Sequence, residues 1–253
     1  MINQIKTDFD KIVKTSSFST DDVKLKRQYL NKFIENGFPN RKLENWKFSD
    51  ISQIIQRNIG ELSFYNDYSS SNKIDTSIFI DGLEHNKIFF INGRVEKIDF
   101  SYEDKDKVEI SEESKLDNKL DNNNSLIDLN TAFTNKSYKI LIKKNYSFKK
   151  PLIVYHTTNN SIKSKNINLR LEFELEQNSS LRLVDFFNDT SEKNFVNIFY
   201  NFELKKDSIL KNYKIDKTQN NNIKYSFNNI NQYEDSISET VILSAGSNFL
   251  KNE

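Results

Sequence analysis

Cysteine is absent from this chain of 253 residues, which excludes disulfides, thiol catalysis and any metal or iron–sulfur site held by thiolates. That fits a reducing compartment. Glycine occurs five times and proline twice, so few residues offer positive φ or an abrupt stop. Between Ser137 and Ala245 glycine does not occur. No run approaches the ~20 apolar residues that a membrane helix needs. The N-terminal MINQIKTDFDKIVK lacks the apolar centre of an export signal. An excess of one charge is lacking too. The 37 Lys and Arg oppose 36 Asp and Glu, and a net charge of +1 makes no field to gather nucleic acid or an anionic membrane. We therefore expect a cytoplasmic protein with neither nucleic acid nor membrane among its partners.

What is present is aromatic. Twenty Phe and eleven Tyr stand against one Met and one Trp, a bias that suits pleated surfaces. From Tyr138 to Leu243 short segments alternate apolar with polar residues. Leu169, Leu171, Phe173 and Leu175 alternate with Arg170, Glu172 and Glu174, the period-two pattern of a half-buried strand. The pattern recurs at Leu181 and Leu183, at Val196 to Leu204, and at Ile209, Tyr213 and Ile215. It continues through Ile223, Tyr225 and Phe227 to Val241 and Leu243. Strand centres fall roughly eleven to eighteen residues apart, a spacing shared by sandwiches, barrels and β-helices. The missing glycines lean toward the β-helix, because tight hairpin turns usually need one. Asn-rich connections such as Asn159-Asn160 and Thr218 to Asn222 can supply left-handed residues instead.

The first sixty residues read as helices. Ile5, Phe9 and Ile12 repeat at helical spacing. Ser19 with Asp22 makes a capping pair for a helix that Gly37 can end. Phe38-Pro39 then turns the chain, with Trp46 and Phe48 expected to dock the helices on the β part. Eleven basic residues oppose seven acidic ones here, which we read as a solvated surface. Further on, Asn92-Gly93 between apolar runs marks a tight hairpin, with Arg94 as a flanking surface charge. Residues 103–124 have few apolar anchors and read as a mobile connection. Leu129-Asn130-Thr131-Ala132-Phe133 is read as opening the strand ladder, and Pro151 as standing where a strand begins.

Candidate chemistry is sparse. His85 and His156 share no metal-binding spacing; His85 is expected to face solvent and His156 to be a hydrogen-bonded structural residue at a strand end. Glu172 and Glu174 share a strand face and are read as solvated. No glycine-rich phosphate loop is present. We assign no catalytic, cofactor-binding or metal-binding residue and expect no enzyme activity.

Four phrases carry a resemblance. The string Pro39-Asn40-Arg41-Lys42-Leu43-Glu44-Asn45-Trp46-Lys47-Phe48-Ser49-Asp50-Ile51 resembles the N-terminal signature of the SufD branch of the SufB/SufD family, which serves iron–sulfur cluster assembly. Phe90-Ile91-Asn92-Gly93-Arg94 is similar to a second phrase. Leu129 to Phe133 followed by Lys150-Pro151-Leu152 resembles a third, although Lys136-Ser137 stands where the family commonly has a Gly turn. Leu243 to Glu253 resembles a later family phrase that leads into another strand. The resemblance implies a mainly β fold: a right-handed parallel β-helix after a small helical N-terminal region, incomplete at the C-terminus. Because the pattern stops without a cap, a fragment or truncated gene product is expected. The implied division is 1–60 helical, 61–128 mixed, and 129–253 β-helix. The implied function is a non-catalytic scaffold that pairs with a SufB-like paralogue through the β-helix and with a SufC-like ATPase through a C-terminal part. A homodimer is a further possibility. The iron–sulfur cluster would form transiently in the complex, with no cofactor bound by this chain. The alternative is a carbohydrate-binding or carbohydrate-active β-helix protein.

Overall fold

The computed structural model describes residues 1–64, 76–113, 124–159, 162–189, 191–217, 222–246 and 248–253. A helical head comes first: α1 (Ile2–Thr15), α2 (Thr20–Asn36) and α3 (Ile51–Asn58). The capping box at the start of α2 forms as expected, with Ser19 Oγ accepting from Asp22 N and the Asp22 carboxylate accepting from Ser19 N. Gly37 ends α2 at φ 69°. Asp50 caps α3 by accepting from Gln53 N at 3.0 Å.

The hairpin of β1 (Asn86–Ile91) and β2 (Arg94–Asp99) turns on Asn92 and Gly93 at φ 54° and 80°. A Cβ at Gly93 would stand 2.7 Å from Ile167 Cγ2. Both its conformation and its neighbour therefore require glycine. Next come β3 (Val108–Glu113) and α4 (Ser125–Phe133). The ladder follows: β4 (Ser137–Ile142), β5 (Leu152–Thr157), β6 (Asn166–Leu175), β7 (Ser180–Asn188) and β8 (Phe195–Leu204). It continues with β9 (Ile209–Lys217), β10 (Ile223–Gln232), β11 (Ile237–Ala245) and β12 (Phe249–Asn252).

These strands make two sheets, one ordered β11-β9-β7-β5-β1-β2 and the other β12-β10-β8-β6-β4-β3. From β4 onward successive strands alternate between the sheets, and each pairs in parallel with the strand two places on. That connectivity is a β-helix. Asn166 pairs with Phe195 and Phe195 with Ile223, which sets the length of one coil.

The scarcity of glycine is resolved at one corner of the coil. Asn145, Asn178, Asp207 and Asp235, one between each sheet-to-sheet pair of strands, hold φ of 60°, 56°, 59° and 54°. Asn and Asp tolerate this conformation because their short polar side chains can bond locally. Asn178 Nδ2 donates to Asn145 Oδ1 on the coil before it at 3.0 Å. The turns that do this work are not the Asn-rich ones singled out from the sequence. Asn160 and residues 218–221 lie outside the described residues.

Three sequence expectations are corrected. Leu129 to Phe133 is the end of α4, not a strand. Every residue of α4 is buried, and Asn130 Nδ2 donates to the carbonyls of Leu169 (3.1 Å) and Asn197 (2.9 Å), pinning the helix on β6 and β8. Residues 103–124 contain β3, which pairs antiparallel with β4. Glu103 is buried there, accepting from Asn86 Nδ2 (2.7 Å), the Tyr146 hydroxyl (2.8 Å) and Lys149 N (3.1 Å); residues 114–123 lie outside the described residues. Trp46 does dock the head, whereas Phe48 is 85% exposed.

Two large cores result. One fills the space between the sheets. The other joins Ile5, Phe9, Leu30, Phe33, Phe38 and Trp46 of the head to Phe195, Ile223 and Tyr225 on the outside of the second sheet. Lys26 of α2 is drawn into this joint, donating to the Thr134 carbonyl, and burial pushes its amine down to about 7.

Candidate functional site

A set of buried titratable groups lies inside the coil. On β6 the inward set is Leu169, Leu171, Phe173 and Leu175, as the alternation suggests. On β9 the pattern inverts. Register places Leu210, Asn212, Lys214 and Asp216 beside the inward residues Leu181, Leu183, Asp185 and Phe187 of β7. The apolar set of β9 that the sequence points to, Ile209, Tyr213 and Ile215, therefore faces outward. On β10 Lys224 and Ser226 face in, while Ile223 and Tyr225 face out beneath the head. Periodicity shows which residues share a face and is silent on which face is inside.

The inward polar residues meet. His156 Nε2 bonds the Tyr200 hydroxyl at 3.1 Å and lies 2.8 Å from Asp185 Oδ1. Lys214 Nζ stands 3.5 Å from the other Asp185 oxygen, donates to Ser226 Oγ at 3.0 Å, and sits 4.2 Å above the Tyr200 ring. Lys224 pairs with Asp216 and covers the Phe187 ring at 4.4 Å. The Asp185 carboxylate is held by its close contacts with His156 and Lys214. Burial alone would raise its pKa; His156 and Lys214 overcome that and keep it well below the usual range. Burial pushes Lys214 down to about 8, reinforced by repulsion from Lys224.

Two lysines and two aspartates cancel, and each of the four side chains is 1% exposed. No substrate can reach a group enclosed this way, so the cluster can order coils but offers no accessible base or nucleophile. Among the described residues no set of three or more His, Asp or Glu is placed to hold a metal ion.

Beside the cluster, Asp189 accepts from Thr158 Oγ1 and Asn222 Nδ2, both at 2.8 Å. Burial nonetheless pushes its carboxyl up to about 7. The folded state then keeps a proton that the unfolded chain releases near pH 4, so stability from this group falls as pH rises from about 4 to about 7. Lys214 acts oppositely: the unfolded chain binds a proton that the fold rejects between about pH 8 and 10.5, so stability rises across that window. Asp189→Asn is expected to shrink the falling limb to the part left by Asp128, whose carboxyl burial raises to about 6, and to leave the rising one, read by urea unfolding at successive pH values. A falling limb of undiminished slope would contradict the assignment.

The remaining sequence candidates fall elsewhere. His156 is a buried, hydrogen-bonded residue, in keeping with its sequence reading. His85 corrects its own: it is buried, with Nδ1 2.6 Å from the Leu83 carbonyl and Nε2 2.8 Å from the Tyr155 hydroxyl. Burial lowers its pKa. Glu172 and Glu174 face outward and share Lys139, at 3.6 and 2.9 Å. A cavity of about 560 Å³ bounded by β2, β3 and β4 is lined by Arg94, Glu112, Lys136 and Tyr138 among others. Its cations already face carboxylates, Lys136 on Glu112 at 2.6 Å and Arg94 near Glu96 at 3.8 Å.

No protein-family model matches the chain, and no curated protein matches its sequence. No helix among the described residues is long and apolar enough to cross a membrane.

Proposed function

We propose that this chain is a non-catalytic scaffold subunit of a cytoplasmic iron–sulfur cluster assembly complex, pairing with a SufB-like paralogue through its β-helix and working with a SufC-like ATPase. In this reading the cluster is cargo of the complex, not a cofactor of this chain. Support comes from the place of the Trp46 phrase, where the sequence resemblance is densest. Trp46 packs 5.8 Å from Tyr225 and 6.4 Å from Phe249, and Lys251 Nζ lies 4.7 Å above its ring while donating to the Asn45 carbonyl at 2.9 Å. The phrase is thus the joint between a helical head and a parallel β-helix, the pair of parts that the resemblance implies. The enclosed, self-neutralised interior favours a protein that works by its surfaces.

Co-expression of the tagged chain with SufB-like and SufC-like proteins of its own source tests this. Stoichiometric recovery of the SufB-like protein is expected. Recovery of neither, with saturable oligosaccharide binding by calorimetry, would favour a carbohydrate-binding β-helix instead.

A further inference from the structure

The inversion on β9 leaves apolar residues facing out from the first sheet. Register sets them in two rows running across the coils. One row is Ile153, Val184, Tyr213 and Val241; the other is Phe89, Tyr155, Phe186, Ile215 and Leu243. The chain covers the first part of both rows itself. Ile78, Phe79 and Ile80 pack on Phe89, Ile91, Ile153, Tyr155, Val184 and Phe186. Phe79 lies 5.3 Å from Phe89 and 5.0 Å from Tyr155, and Ile80 N donates to the Tyr155 hydroxyl at 3.1 Å. Past Phe186 the rows continue into solvent: Tyr213 is 40%, Val241 48% and Leu243 62% exposed. Tyr213 and Ile215 are on β9, which has a paired strand on either side, so their outward position is not an effect of the sheet edge. Apolar surface arranged as a continuous stripe is a mark of an interaction site.

Charge narrows the occupant. Arg182 and Lys211 border the rows on one side and Lys217 on the other, all exposed, with Glu239 set against Lys211 at 3.4 Å. The border is net basic.

We propose that the outer face of the first sheet, from β7 to β11, docks an extended segment of a partner protein that reads aliphatic–aromatic–aliphatic with acidic flanks. The segment would continue across β9 and β11 what Ile78, Phe79 and Ile80 do across β1 and β5. The proposal stands apart from the assembly reading, since it rests on this face alone.

The test is fluorescence anisotropy of the full 253-residue chain with a labelled peptide carrying Ser-Ile-Phe-Ile-Asp between acidic residues. Saturable binding is expected, weakened at least tenfold by Tyr213→Asn and by Leu243→Asn, and at least tenfold weaker for the same peptide with lysine flanks. The two substitutions lie on different strands and outside the cores, so circular dichroism of each identifies a variant that can be read even if the other misfolds. Absence of saturable binding, or equal binding to the variants, would overturn the proposal. So would equal binding of the lysine-flanked peptide. Sedimentation of the chain alone as a dimer that both variants dissociate would assign the stripe to a second copy instead.

Discussion

Asp185→Ala is expected to destabilise the chain by about 3–5 kcal/mol in urea unfolding at neutral pH, the cost of leaving buried charge without its partner. The substitution leaves Lys214 enclosed, 1% exposed, facing Lys224 and His156 with only Asp216 to answer two ammonium groups. The double replacement Asp185→Leu with Lys214→Met behaves differently. It removes both charges together, keeps similar volume beside Phe187 and Tyr200, and leaves the Lys224–Asp216 pair in place. It is expected to recover most of the loss, because exchanging a buried pair for apolar side chains is often neutral or stabilising. A single substitution costing less than about 1 kcal/mol would show that the aspartate is solvated rather than enclosed.

Trp46→Ala should have the next largest effect, about 3–5 kcal/mol, as expected for truncating a buried tryptophan. Trp46 is 4% exposed, and its ring fills the space among Tyr225, Phe249 and Lys251. In a stack of coils each coil touches its neighbours only. The loss should therefore be local: amide hydrogen exchange is expected to quicken in β10 and β12 while β5 and β7 stay protected. Phe48→Ala, two positions along the same phrase at 85% exposure, should change stability by less than about 0.5 kcal/mol. Equal effects from the two substitutions would contradict the docked position of the tryptophan.

Local signals were legible in the sequence wherever one residue's chemistry decides a conformation. The Ser19–Asp22 capping box, the stop at Gly37 and the Asn92-Gly93 turn are of this kind. So is the ladder itself, since alternation survives whatever surrounds a strand. What escaped was decided by partners far along the chain. Ile223 and Tyr225 face outward because the head, residues away in sequence, buries that side; nothing local distinguishes this from an inward core face. Tyr213 and Leu243 follow the same alternation and reach solvent. The five apolar and polar residues from Leu129 to Phe133 are too short a run to separate a helix end from a strand, and it is contact with β6 and β8 that fixes them. His85 sits in a polar loop, and in the fold it is buried and bonds Tyr155 on a later strand. The ionic cluster was missed for the same reason. Lys214, Asp216 and Lys224 look like solvated charges until register turns them inward opposite Asp185.

Every statement about inward and outward faces depends on parallel coil-to-coil pairing, and the absence of cysteine makes that pairing directly measurable. Arg182 and Lys211 are register partners on adjacent parallel strands, where a spacing of about 4.8 Å suits a disulfide. Oxidation of the double variant Arg182→Cys, Lys211→Cys, followed by mass spectrometry, is expected to give an intramolecular cross-link, and Arg182→Cys with Asn201→Cys none, because those positions lie on different sheets. A β7–β8 hairpin would bring Arg182 across from Asn201. Cross-linking of that second pair and not the first would contradict the β-helix and all that is built on it.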